Sequence, residues 1–204
     1  MQKIIERNKT RPGLKNVSPN GLHYSWDWGP IHFVNLGIVV GSDPDLKRPG
    51  RYNPLESLGF LKGDLDKHVG ASGRPIIITH HVDLARYCTA CDLQAKPSGG
   101  EWDSCDVHAY HGAIKPYNVI AILYGHTHTR NIFRWDGVSP KADSGIHVFN
   151  VDNEAHFSCG AQAFFYFQLT GTKLTVRELQ TKDRWQTTFW TPQTWTQTVT
   201  LGTA

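Results

Sequence analysis

Six consecutive apolar or aromatic residues, Val119–Tyr124, run directly into Gly125-His126-Thr127-His128. The β-branched and aliphatic side chains of the run read as a buried strand. Gly125 is expected to turn the chain there, because glycine adopts backbone angles closed to other residues. In an extended segment, residues i and i+2 point to the same side, so His126 and His128 are expected to reach one point. Neutral imidazole is a frequent metal ligand. The strand tip is therefore expected to form half of a metal site.

A second short apolar run, residues 75–79, also ends in histidines, His80 and His81. Open α/β sheets place ligands at the carboxyl ends of their strands. If the two strands are parallel neighbours, His80, His126 and His128 converge, a set suited to zinc, iron or manganese. The competing reading is three surface or core histidines that hold no metal.

The surrounding chain reads as alternating helix and strand in the middle and antiparallel β afterwards, an α/β arrangement. Residues 1–20 read as a helix tail and a loop. Residues 22–28 and 31–40 read as strands joined at Gly29-Pro30, the second buried on both faces. Asn53-Pro54-Leu55-Glu56 has the order of a helix start, a capping asparagine followed by proline. Leu55, Leu58, Leu61, Leu65 and Val69 then give an apolar stripe that ends at Gly70. Residues 84–102 read as a surface loop, and Asp103 as the cap of a helix closed by Pro116. Asn131–Trp135, Ile146–Asn150 and residues 163–169, 173–179 and 184–190 read as short strands, with a hairpin turn at Gly171-Thr172. Trp185, Trp190 and Trp195 are expected to cover the sheet.

The 204 residues suffice for one sizeable core. A net charge of +3 spread along the chain gives no basic block of the kind that nucleic-acid binding uses. No apolar run approaches the roughly 18–20 residues that span a bilayer, and the charged first eight residues do not read as a signal peptide. Cys88 and Cys91 form one C-x-x-C, with Cys105 and Cys159 elsewhere. A structural zinc or a disulfide is open, and free thiols are the default expectation.

Pro75-Ile76-Ile77-Ile78-Thr79-His80-His81 and Gly125-His126-Thr127-His128 resemble the last two motifs of the calcineurin-like metallophosphoesterases. Residues 22–35 resemble the strand pair that lies between metal motifs in that family, and residues 148–153 resemble the stretch after G-H-x-H. The resemblance spans residues 15–180. It implies an α/β/β/α sandwich, with residues 1–180 as a partial domain and 181–204 as a β tail on the same domain. It also implies hydrolysis of a phosphomonoester or phosphodiester by two divalent or trivalent metal ions (iron, manganese or zinc) that share a hydroxide. Under the resemblance His80 and His126 bind one ion and His128 the other. His81, Asn150 and Asp152 fall to substrate or outer contacts.

Three earlier motifs of the family, D-x-H, G-D-x-x-D and G-N-H, are missing. Asp106-Val107-His108 fits the first by letter but falls inside a helix. Gly63-Asp64-Leu65-Asp66 is one residue short of the second, and both its aspartates are expected in solvent. The expectation is therefore a C-terminal part of a phosphoesterase domain with impaired activity, completed by a further N-terminal segment. The competing class is an inactive metal-binding or interaction fragment. Asp27 is expected to support a turn, His23 and His32 to be structural, and Asn153 and His156 to share a polar patch with Asn150 and Asp152.

Overall fold

A computed structural model describes residues 2–42, 53–88, 101–139, 141–151 and 161–202. Its centre is a seven-stranded mixed sheet. In chain order the strands are β1 (Leu14–Val17), β2 (Tyr24–Trp28), β3 (Ile31–Asn35), β4 (Ile76–Thr79), β7 (Val119–Tyr124), β8 (Asn131–Trp135) and β9 (Ile146–Asn150). Their spatial order is β1-β2-β3-β4-β7-β9-β8. β3, β4, β7 and β9 run parallel, and β1, β2 and β8 complete the sheet through antiparallel pairs. The register Ile77↔Ala121, Ile78↔Ile122, Thr79↔Leu123 ends β4 and β7 at nearly the same height. The two histidine-bearing tips are thereby neighbours, as the sequence requires of a shared site.

Alternation along these strands sends side chains into two separate cores. Val34, Ile76, Ile78, Ile122, Tyr124 and Val148 meet helices α2 (Ser57–His68) and α3 (Ser104–Ile114) through Leu58, Leu61, Leu65, Val107, Tyr110 and Ile114. Ile77, Ala121 and Phe149 face the other way, onto Leu174 and Val176. Those residues belong to a three-stranded antiparallel sheet, β10 (Gln162–Thr170), β11 (Lys173–Thr181) and β12 (Phe189–Thr198). The layers are thus helices, mixed sheet and antiparallel sheet. Strand β4, buried on both faces, carries the continuous Ile76-Ile77-Ile78 run typical of such a position. Gly171, at φ 55°, makes the β10–β11 hairpin turn in the left-handed region that glycine occupies without steric cost.

Several elements differ from the sequence expectation. Helix α1 (Gln2–Thr10) is followed by strand β1 rather than by loop alone. β3 stops at Asn35, and the chain turns through Gly37 at φ 72°. Helix α2 begins at Ser57, four residues beyond Asn53. The Asn53 side chain instead accepts a hydrogen bond from the Leu55 N–H at 3.0 Å, which closes a turn before the helix. A short parallel pair, β5 (Tyr87–Cys88) and β6 (Trp102–Asp103), interrupts the expected loop, of which residues 89–100 lie outside the described set. β12 starts at Phe189, later than residues 184–190 imply, because Arg184 and Trp185 adopt φ of 57° and 69° in a turn.

Two chemical expectations are also corrected. Cys105 is disulfide-bonded rather than a free thiol. Asp64 is fully buried rather than solvated: Ser25 Oγ (2.7 Å), Asn16 Nδ2 (2.9 Å) and His32 Nε2 (2.8 Å) all bind its carboxylate. Among the described residues, no helix is long and apolar enough to cross a membrane.

Candidate functional site

Five histidine and carboxylate side chains gather near the carboxyl edge of β4 and β7. The His81 backbone joins the two tips: its carbonyl accepts the Gly125 N–H at 3.0 Å, while the His80 N–H reaches the Leu123 carbonyl at 3.1 Å. Beyond Gly125 the chain is not extended. His126 and His128 take φ of 70° and 53°, so the histidines, not the glycine, make the left-handed turns. The i, i+2 rule for strands therefore does not govern their directions.

Two anchors hold this contorted loop. Asn150, 2% exposed at the end of β9, donates to Thr127 Oγ1 (2.6 Å) and to the Thr129 carbonyl (2.8 Å). Arg130 binds the fully buried Glu178 of β11 at 2.7 Å and lies 5.3 Å over the Trp195 ring. The mixed and antiparallel sheets thus grip the loop from two sides. Asn150, expected at substrate or outer contacts, anchors the loop that carries His126 and His128. Asp152, Asn153 and His156 lie outside the described residues.

The imidazoles divide into two environments. His80 is 5% exposed and its ring meets Tyr110 of α3 edge-on at 5.7 Å. Burial lowers its pKa to about 4, against an opposing hydrogen bond with the Val82 backbone, so the ring is neutral at pH 7. His81 lies on the open side, where its Nε2 is 3.0 Å from His126 Nδ1. Burial also lowers the His81 pKa, reinforced by His126 and His128 and opposed by Glu101. His128 is thus close enough to His81 to act on its charge. The structure brings His81, His126 and His128 into one electrostatic neighbourhood and seats His80 behind them against the helix layer.

Glu101 is the participant that the sequence reading missed. Its Oε1 accepts His126 Nε2 at 2.8 Å and pairs with Arg86 Nη2 at 2.8 Å. The Glu101 N–H donates to the Arg86 carbonyl at 2.6 Å, immediately before β5 and β6 pair, so backbone geometry delivers the carboxylate. No sequence motif marks it. The only available signal was an acidic residue at the end of a loop expected to cover the strand tips.

Among the described residues, the other histidines and tryptophans singled out from the sequence are placed elsewhere. His32, with no exposed surface, lies between Asp27 (2.7 Å) and Asp64 (2.8 Å). Asp27 also pairs with Arg74 at 3.1 Å, so it closes an ion network rather than a turn. His23 is 2% exposed and bonded to the Leu55 carbonyl at 2.9 Å. Trp195 packs inside against Phe149, whereas Trp185 and Trp190 are each about two-fifths exposed.

The imidazoles, with a carboxylate behind one of them, are residue types suited to one transition-metal cation. Among the described residues, no three histidine, cysteine, aspartate or glutamate side chains are already arranged around a common metal position. No protein-family model matches this sequence, and no curated protein matches it significantly.

Proposed function

We propose that the chain carries the histidine-bearing part of a metal-dependent phosphoesterase site of the calcineurin-like kind. The observation that carries this reading is the juxtaposition of two parallel strand tips, β4 and β7, whose histidines touch at 3.0 Å. The order of the motifs along the chain supports it. So do the left-handed His126 and His128, since strained non-glycine backbone collects at functional sites. The layering of helices, mixed sheet and antiparallel sheet is compatible with the same family.

A cation held here would polarise a phosphoryl oxygen and make water a better nucleophile. The chain's own residues do the rest. His81 and His126 offer ring nitrogens 3.0 Å apart, Asn150 and Arg130 keep the loop in its unusual conformation, and Arg86 offsets the Glu101 charge.

The test is hydrolysis of p-nitrophenyl phosphate and bis(p-nitrophenyl) phosphate with added Mn²⁺ or Zn²⁺, together with metal content after dialysis. Wild type retains metal and shows slow, metal-dependent turnover, and His126→Ala loses both. A wild-type chain with neither retained metal nor turnover sinks the proposal. Retained metal without turnover supports the second reading, a non-catalytic metal-binding part. The missing D-x-H, G-D-x-x-D and G-N-H motifs favour that reading.

A further inference from the structure

We infer that His81 and His126, rather than His80 and His126, are the imidazole pair that faces the cation, and that Glu101 is the positioning residue that sets His126 for it. This rests on the metal-dependent reading above and changes which residues carry it.

The two nitrogens of an imidazole point to opposite sides of the ring. Glu101 Oε1, which also receives the Arg86 guanidinium, acts as an acceptor, so His126 Nε2 carries the hydrogen toward it. His126 Nδ1 is then a lone pair, and it points at His81 Nε2, 3.0 Å away. Two nitrogens bound to one ion at about 2.0–2.1 Å each stand roughly 2.8–3.4 Å apart for bond angles of about 90–109°. The observed spacing falls in that range. A cation can replace the hydrogen between the rings if His81 carries its own hydrogen on Nδ1 instead, with no net gain or loss of protons. Glu101 then sits on the far nitrogen of a ligating histidine. A carboxylate at that position fixes the tautomer and ring direction and raises ligand basicity.

His80 is placed differently. Its ring is sealed on the helix side against Tyr110. His81, on the open side, already has its Nε2 3.0 Å from His126 Nδ1.

The experiment is a Co²⁺ titration of the purified chain, followed by visible absorption and by calorimetry, on wild type and three variants. Circular-dichroism melts confirm that each variant is folded. Wild type binds Co²⁺ with a visible ligand-field band. His81→Ala lowers the affinity at least tenfold, Glu101→Gln lowers it roughly 10–100-fold, and His80→Asn leaves it within about threefold. If His81→Ala binds as wild type does while His80→Asn loses binding, the assignment of the pair is overturned and the metal-dependent reading survives. Wild-type affinity in Glu101→Gln overturns the role of Glu101. A wild-type chain that binds no Co²⁺ overturns both this inference and the reading beneath it.

Discussion

Asp64 has no exposed surface, yet it lies on the helix that closes the main core. Burial alone would push its pKa up. Hydrogen bonds from His32, Ser25 and Asn16, with the charge of His32, outweigh burial and leave it below 3.8. Burial is likewise outweighed at Asp27 by His32 and Arg74. His23 and His147 shift in the opposite sense for a basic group: burial outweighs their hydrogen bonds and holds both below 6.5. The signs give two stages of acid loss. Below pH 6.5 the unfolded chain binds protons at histidines that the fold keeps neutral, so stability falls until the lower folded values are reached. The depressed carboxyls contribute fully above 3.8, and that contribution disappears as the pH falls through their folded values. The urea midpoint is expected to drop in these two stages. Asp64→Asn costs about 3 kcal/mol at pH 7, because it removes the buried carboxylate on which Ser25, Asn16 and His32 converge, and it flattens the lower stage. An acid limb identical to wild type would count against the network. The sequence reading placed Asp64 in solvent, although position 64 lies one turn beyond Leu61 and beside Leu65, within the apolar stripe. Its partners, 32 to 48 residues away in sequence, left no local trace.

Elements whose ends are set by side-chain periodicity were readable, and those whose ends are set by tertiary contacts were not. β7, β8 and β9 match the ranges expected from the sequence residue for residue, and β7, between two cores, ends where its apolar run ends. Helix α2 is the counterexample. Asn53-Pro54 has the chemistry of a helix start, but Ser57 is recruited elsewhere: its hydroxyl donates to the Val39 carbonyl at 2.9 Å and accepts the Gly41 N–H at 3.1 Å. Fixing Ser57 to that loop forces Leu55 and Glu56 into φ of 52° and 58°. A non-glycine residue there costs about 1–2 kcal/mol. Glu56→Gly is therefore expected to stabilise the protein by about 1 kcal/mol, a rise of roughly 2–4 °C in melting temperature. A lower melting temperature would show that the Glu56 side chain contributes more than its backbone strain costs. At the candidate site the same division holds. The histidines were found because strand patterns point at them, whereas Glu101 enters on the short β5–β6 pairing, for which no periodicity exists.

At the scale of the whole molecule, one sheet separates two cores, and Phe149 is the main aromatic link on the antiparallel side. It is 2% exposed, with ring centroids of Phe165 and Phe167 at 5.4 Å and of Trp195 at 6.1 Å. Beside this cluster an apolar cleft of about 670 Å³ opens between the sheets, lined by Trp28, Phe33, Ile77, Phe165, Phe167 and Leu169. The antiparallel sheet therefore grips the mixed sheet along only part of its width, and the aromatic cluster carries much of the attachment. Phe149→Ala removes its centre at a cost of about 3–5 kcal/mol. The loss is expected to be local. Amide hydrogen exchange in β10, β11 and β12 should accelerate far more than in β4 and β7, which stay packed on α2 and α3 through the opposite face. Leu65→Ala, on that opposite face, should give the reverse order. Equal acceleration in all strands for both variants would mean that the two cores unfold as one unit. The Arg130–Glu178 pair makes the distinction matter for the site, since it ties the His126–His128 loop to β11. A selective loosening of the antiparallel sheet should therefore also weaken Co²⁺ binding, with His81 and His126 themselves unchanged.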